Sequence, residues 1–112
     1  MAQKNLVNWE KGKELCMGDE EFYMEILHTF LDSHSDIQLN TFFEASDFDN
    51  YRIKVHSMKT NLSNIGAMEV LDMAKRLEFA LKNDYDVSYV QNHHEEFLYM
   101  YRCVVSAVEE YL

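Results

Sequence analysis

The sequence predicts an all-α domain, and three features of its composition favour that fold class. The chain has 112 residues, no proline and only three glycines, a composition that permits long uninterrupted helices. Hydrophobic residues make up 47% of the chain, which is enough for a core and argues against disorder. A mostly β domain would need more turn residues than this chain contains. The length suits one domain, so residues 1–112 are treated as a single unit.

Capping residues and apolar periodicity divide the N-terminal half into a short helix and a long one. The short helix is predicted from about Asn8 to Cys16, and Gly18 ends it. Asp19 is a good N-cap for a second helix, which we predict to be roughly 25 residues long. Its apolar positions are Phe22, Ile26, Leu27, Phe30, Leu31, Ile37 and Phe42.

Three further helices are predicted in the C-terminal part of the chain. Ser46 and Asp47 resemble a cap for the third helix, and Gly66 fits the left-handed position that ends it. The fourth helix closes at Asn83 and Asp84, and the last runs from Asp86 or Ser88 to Leu112. The inward positions of the fourth helix are Val70, Leu71, Met73, Ala74, Leu77, Ala80 and Leu81. Because the connections are short, we expect an antiparallel up-down four-helix bundle with a short extra N-terminal helix.

The charge of the chain narrows the class of partner. A formal net charge of −10 argues against nucleic acid, whose binding depends on Lys and Arg, and it also disfavours anionic membrane surfaces. No apolar run is long enough for a signal peptide or a membrane span. We therefore expect a cytoplasmic protein. A monomer is expected because the acidic charge resists self-association, although a tyrosine-rich dimer surface on the last helix (Tyr99, Tyr101, Tyr111) remains an alternative.

Metal ligation is the first alternative that the sequence raises for its histidines and cysteines. Glu25 and His28 have the Glu-x-x-His spacing of di-iron bundles, but the second element that such sites need does not occur. The run from His93 to Glu96 resembles an exposed, weakly chelating stretch. Cys16 and Cys103 match no metal spacing and resemble free buried thiols of a reducing compartment, with a disulfide as the less favoured alternative. We predict no metal and no bound cofactor.

His56 lies on the polar side of the third predicted helix. At about 100° per residue, the apolar residues of this helix form a stripe roughly 80° wide, and His56 lies about 140° from its centre. The stripe consists of Tyr51, Val55, Met58, Leu62 and Ile65. This spacing predicts that the imidazole faces solvent. An ordinary surface histidine satisfies the same pattern.

The segment around His56 resembles the signature of the histidine phosphotransfer (HPt) family, the phosphocarriers of multistep two-component relays. The family pattern is histidine, two residues, lysine, usually glycine, five variable residues, then glycine and alanine. His56, Lys59, Gly66 and Ala67 match it in identity and spacing. Thr60 departs from it, because it occupies the position where the family commonly has glycine.

The resemblance implies a phosphocarrier that accepts a phosphoryl group on His56 from a receiver-domain aspartyl phosphate and passes it to another receiver aspartate. The partners would be response-regulator receiver domains or a hybrid histidine kinase, and the receiver would hold the divalent cation. The chain itself has no nucleotide-binding motif, so we expect no ATP-dependent kinase activity. The alternative function is a non-catalytic bundle that binds receivers without carrying phosphate.

The residues around His56 suggest how such a site would work. Neutral imidazole offers a nitrogen lone pair as nucleophile, and phosphoryl transfer asks mainly for positioning and charge neutralisation. Lys59, one helical turn away, is the predicted phosphoryl-neutralising cation. Arg52 is a possible second cation, and Ile53 is an apolar docking residue on the outer face. Thr60 could crowd the ring or donate a hydroxyl hydrogen bond, and Ser63 also faces this side; these residues complete the predicted supporting set.

Overall fold

A computed structural model describes residues 6–112 of the chain as six α-helices joined by short turns, with no strand among these residues. The all-α prediction is therefore confirmed for this part of the chain. The helices are α1 (Trp9–Leu15), α2 (Glu20–Asp32), α3 (Ser35–Glu44), α4 (Phe48–Ile65), α5 (Met68–Phe79) and α6 (Val87–Tyr111). A π-helical segment, Ala80–Asp84, extends α5.

Four of the helices begin at an N-cap whose side chain accepts a backbone hydrogen bond three residues later. The capping residues are Asn8, Asp19, Asp47 and Asp86. Each satisfies one of the amide groups that a helix leaves without an internal partner. These caps fix the starts of α1, α2, α4 and α6 close to where the sequence predicted them.

The prediction of one long second helix is wrong, because the chain breaks between α2 and α3. His34 adopts a left-handed backbone conformation, with φ of +52°, which no helix interior can accommodate. The Ser33 hydroxyl donates to the Phe30 carbonyl at 2.8 Å, so a side chain replaces a helical backbone donor at the end of α2. The inward positions also differ from those predicted: Phe22 on α2 and Ile37 on α3 are exposed, whereas Tyr23 and Leu39 are buried.

The core lies between α4 and its neighbours. α4 packs against both α3 and α5, and α5 packs in turn against α6. The inward positions predicted for the helix after Gly66 are buried in the structure, except that Met73 is only partly buried. None of the described helices combines the length and the apolar character that crossing a bilayer requires.

One buried histidine sits in this core. His94 of α6 is fully buried, which corrects the prediction of an exposed stretch there. Its Nδ1 accepts a hydrogen bond from the Tyr51 hydroxyl (2.9 Å), its Nε2 donates to Asn40 Oδ1 (3.0 Å), and its ring stacks on Phe43. Burial, with a smaller effect of the Arg102 charge, lowers the pKa of His94 to about 4. The ring is therefore a neutral structural element at physiological pH.

The short helix α1 closes one end of the molecule. Trp9 stacks on Tyr111 near the end of α6, with ring centroids 4.1 Å apart and planes within 8°. The backbone N–H of Asn8 donates a hydrogen bond to the Gly66 carbonyl oxygen at 2.9 Å, which joins the start of α1 to the end of α4. Of the tyrosines considered for a dimer surface, Tyr111 is thus engaged in this stack, Tyr101 is buried, and Tyr99 alone is exposed.

Candidate functional site

The helix α4 presents His56 to solvent, as the sequence predicted. Every residue of the predicted apolar stripe is fully buried, so the opposite side of the helix must face outward. The His56 side chain is 65% exposed. Gly66 ends the helix with φ of +89°, and a side chain there would overlap the carbonyl oxygen of Asn8. The glycine of the motif is therefore required both by backbone conformation and by close packing.

A carboxylate of the next helix holds the imidazole of His56. Glu78 of α5 lies beside the ring, and its Oε2 is 2.7 Å from Nδ1. The Glu78 side chain is only 8% exposed, whereas the imidazole that it contacts extends into water. Glu78 thus holds the imidazole ring at Nδ1, while most of the His56 side chain is exposed to solvent.

The same carboxylate also binds Lys59. The Lys59 ammonium lies 2.5 Å from Glu78 Oε1, and the lysine side chain is 27% exposed. Burial alone would raise the pKa of Glu78, but the hydrogen bonds from Lys59 and His56 outweigh it and the net pKa is lowered. Glu78 is therefore ionised at neutral pH, and each of its oxygens accepts one charge-assisted hydrogen bond.

The ionised state of Glu78 determines which ring nitrogen of His56 carries the proton. A carboxylate can only accept, so Nδ1 of His56 must donate. In the neutral ring the lone pair is then on Nε2, which has no hydrogen-bond partner among residues 6–112. The geometry therefore leaves the unprotonated nitrogen of the neutral ring without a hydrogen-bond partner among the described residues, on a largely exposed side chain.

The other predicted site residues lie around this centre on α4. Ile53 is 56% exposed and Thr60 is exposed, so both lie on the open surface of the helix. Arg52 and Ser63 are half-buried, one turn before and two turns after His56. The polar side chains of Arg52, Thr60 and Ser63 make no hydrogen bond or ion pair with another described residue.

Glu78 is the residue of this site that the sequence analysis missed. Its position carried a signal, because Glu78 lies in line with the buried Leu71, Ala74 and Leu81 of the same helical face. A charged residue in an apolar stripe needs a partner, since burying an unpaired charge is costly. Its partners could not be identified without knowing that α5 packs beside α4.

The remaining histidines and cysteines form no comparable site in the described chain. Among residues 6–112, no group of three His, Cys, Asp or Glu side chains is arranged to hold a metal ion. Glu25 and His28 are exposed, and His93 stacks on Tyr89. Cys16 and Cys103 are both free thiols, the first buried and the second half-buried.

Comparison of the chain with protein-family models, with curated proteins and with solved structures found no match. The functional argument therefore rests on the residues of this chain and on the geometry of His56, Lys59 and Glu78.

Proposed function

We propose that this protein is a phosphocarrier of the HPt type, which accepts a phosphoryl group on Nε2 of His56 from an aspartyl phosphate of a receiver domain. It would then pass that group to the aspartate of another receiver. The observation that carries the proposal is the imidazole held at Nδ1 by an ionised, buried carboxylate, with its Nε2 lone pair facing solvent. An ordinary surface histidine has no need of such a partner.

The transfer needs little covalent machinery from this chain. The Nε2 lone pair attacks phosphorus, the bond between phosphorus and the aspartyl oxygen breaks, and the donor aspartate leaves as a carboxylate. The imidazole ring gains positive charge in this step, and Glu78, in contact with Nδ1–H, stabilises that charge. The divalent cation that assists the reaction belongs to the partner receiver.

Lys59 has a second role in this scheme. In the unphosphorylated protein its ammonium is bound to Glu78, one turn from His56. When a phosphoryl group occupies Nε2, new negative charge lies on the exposed side of the ring. A flexible lysine can turn toward that charge, whereas the fork of an arginine is less adaptable. Arg52, Thr60 and Ser63 would line the same opening, and Ile53 would contact the partner.

The proposal extends to architecture and setting. We propose an antiparallel up-down four-helix bundle in which α2 and α3 together form one member. The other three members are α4, α5 and α6, and α1 is the extra short helix. Packing of α4 against α3 and α5, and of α5 against α6, supports this arrangement. We further propose a cytoplasmic monomer that meets receiver domains or a hybrid histidine kinase.

Transfer of labelled phosphate tests the function directly. Receiver domains charged with labelled acetyl phosphate in the presence of magnesium would be mixed with the wild type, with His56→Gln and with His28→Gln. We expect acid-labile, base-stable label on the wild type and on His28→Gln, and none on His56→Gln. Label on all three would show that another residue accepts the phosphoryl group.

The alternative function predicts a different result in the same assay. A bundle that only binds receivers would take up no label although it bound the charged receiver, and His56→Gln would bind as well as the wild type. That outcome would refute the carrier function. Thr60, in place of the usual glycine, is the residue that favours this alternative.

A further inference from the structure

The charges of this acidic protein are distributed very unevenly. Residues 48–84, which contain α4, α5 and the π-helical segment, hold six of the ten lysines and arginines and only five of the twenty carboxylates. Their formal charge is +1, and the remaining 75 residues carry −11. The helix pair that bears the candidate site is therefore far less acidic than the remaining residues taken together, so it repels an acidic partner less.

Two lysines lie on either side of Glu78 along the chain, Lys75 on α5 and Lys82 on the π-helical segment that extends it. Lys75 precedes Glu78 by three residues and Lys82 follows it by four, so each is about one helical turn away. Both side chains are exposed. Glu78 itself adds no free negative charge there, because Lys59 and His56 bind it. The lysines thus extend the basic surface from α4 onto α5.

An apolar edge borders the same surface. Phe79, next to Glu78, is 61% exposed although it is one of the largest apolar side chains of the chain. It lines an open groove of about 470 Å³ between the end of α5 and the start of α6, together with Tyr89, two basic residues (Lys75 and Arg76) and two acidic ones (Asp84 and Asp86). A large exposed aromatic beside a groove and a lysine is typical of the anchor point of a protein interface.

We propose that the partner docks over α5 as well as α4, through an acidic surface that meets Lys75 and Lys82 and an apolar side chain that enters the groove beside Phe79. This inference rests on the proposed function, since the acidic surface would be the one around the receiver's reactive aspartate. On α4 the exposed side chain of Ile53 would border this footprint.

The charge distribution assigns these lysines to the encounter step. Long-range attraction between a basic face and an acidic partner accelerates association and aligns the two surfaces before contact, and salt weakens it. The chemical step depends on His56, Glu78 and Lys59, none of which is altered by changing Lys75 or Lys82. Substitutions on α5 should therefore change how much partner is needed without changing the rate at saturation.

The test measures single-turnover transfer from a phosphorylated receiver over a range of receiver concentrations, at low and at physiological salt. For Lys75→Glu and Lys82→Glu we expect the half-saturating concentration to rise about tenfold at low salt, and less at higher salt. Phe79→Ala should raise it by a similar factor at both salt concentrations. The maximal rate should stay within about twofold of the wild type in all three.

Matched controls are available in the chain. Lys11→Glu makes the same charge change at an exposed lysine of α1, and Tyr99→Ala removes an aromatic ring of α6 that is as exposed as Phe79, at 61%. Both should transfer with wild-type concentration dependence. Circular dichroism of each variant verifies that its helices are intact.

Two outcomes would overturn the inference, and they are distinguishable. If the wild type accepts phosphate but the α5 variants match their controls, the docking surface is refuted while the carrier function stands. If the wild type accepts no phosphate, the proposed function fails and this inference fails with it.

Discussion

Replacing Glu78 by alanine removes the acceptor of two hydrogen bonds at once and tests whether this carboxylate prepares His56 for reaction. A hydrogen bond to a charged group contributes about 1.5–3 kcal/mol. The His56 side chain is 65% exposed, so water replaces part of the lost contact and the lower end of that range applies. A loss of about 1.4 kcal/mol in the transition state lowers the rate constant for phosphoryl acceptance about tenfold.

A graded series of variants separates the hydrogen bond from other effects. Glu78→Gln keeps one acceptor oxygen but has no charge, so we expect a loss of about threefold, between the wild type and alanine. Glu69→Ala removes an exposed carboxylate from the first turn of the same helix and should leave the rate unchanged. The rates would be measured under single-turnover conditions with saturating phosphorylated receiver.

Nitrogen-15 NMR of the imidazole gives an independent readout. In the wild type the proton of the neutral ring should be on Nδ1, because the ionised carboxylate of Glu78 can only accept. In Glu78→Ala that preference should be lost. The reasoning would be refuted by a wild-type ring with its proton on Nε2, or by an alanine variant that accepts phosphate as fast as the wild type.

Further predictions concern stability and the lysine of the site. Gly66→Ala should lower the free energy of unfolding by about 3 kcal/mol in urea titrations, and Gly18→Ala by about 1 kcal/mol, because both glycines have positive φ but a side chain at Gly66 alone meets the Asn8 backbone. Equal losses would contradict the role of that contact. Between pH 7.5 and 5 the wild type should lose about 2 kcal/mol of stability, because unfolded His94 binds a proton below pH 6.5 whereas folded His94, with a pKa of about 4, does not. Urea titrations of the His94→Gln variant should not show this loss. If the free energy of unfolding of the variant falls with pH as much as that of the wild type, His94 is not the group responsible. Lys59→Gln should reduce phosphoryl acceptance about tenfold at saturating receiver, and an unchanged maximal rate would remove this lysine from the chemical step.

The face of α4 could be predicted because it depends on one helix alone. Five apolar residues at helical spacing require that His56 point outward, whatever surrounds the helix. Gly66 was recognised for the same reason, since a helix end with positive φ is a local property. Its second requirement, the approach of Asn8, depends on packing of α1 that no local pattern contains.

The features that the sequence did not predict depend on interactions between elements or on a single unusual backbone angle. The break at His34 has a left-handed backbone conformation at a residue that is not glycine. Because such a conformation is expected mainly at glycine, the sequence predicted one continuous helix across this position. The partners of Glu78 cannot be identified until α5 is placed beside α4. His94 was predicted as exposed because its hydrogen-bond partners, Tyr51 and Asn40, come from distant parts of the chain.

The stack between Trp9 and Tyr111 gives this protein a built-in optical reporter. Trp9 is the single tryptophan of the chain, so tryptophan emission reports one location, the place where α1 meets the last turns of α6. Separation of the two rings would expose the indole to water and change its emission. A urea-induced unfolding transition followed by tryptophan fluorescence therefore reports loss of the contact between α1 and α6. The same transition followed by circular dichroism reports loss of helical structure. If the two transitions coincide, α1 unfolds with the rest of the domain; if fluorescence changes first, α1 opens as a separate unit.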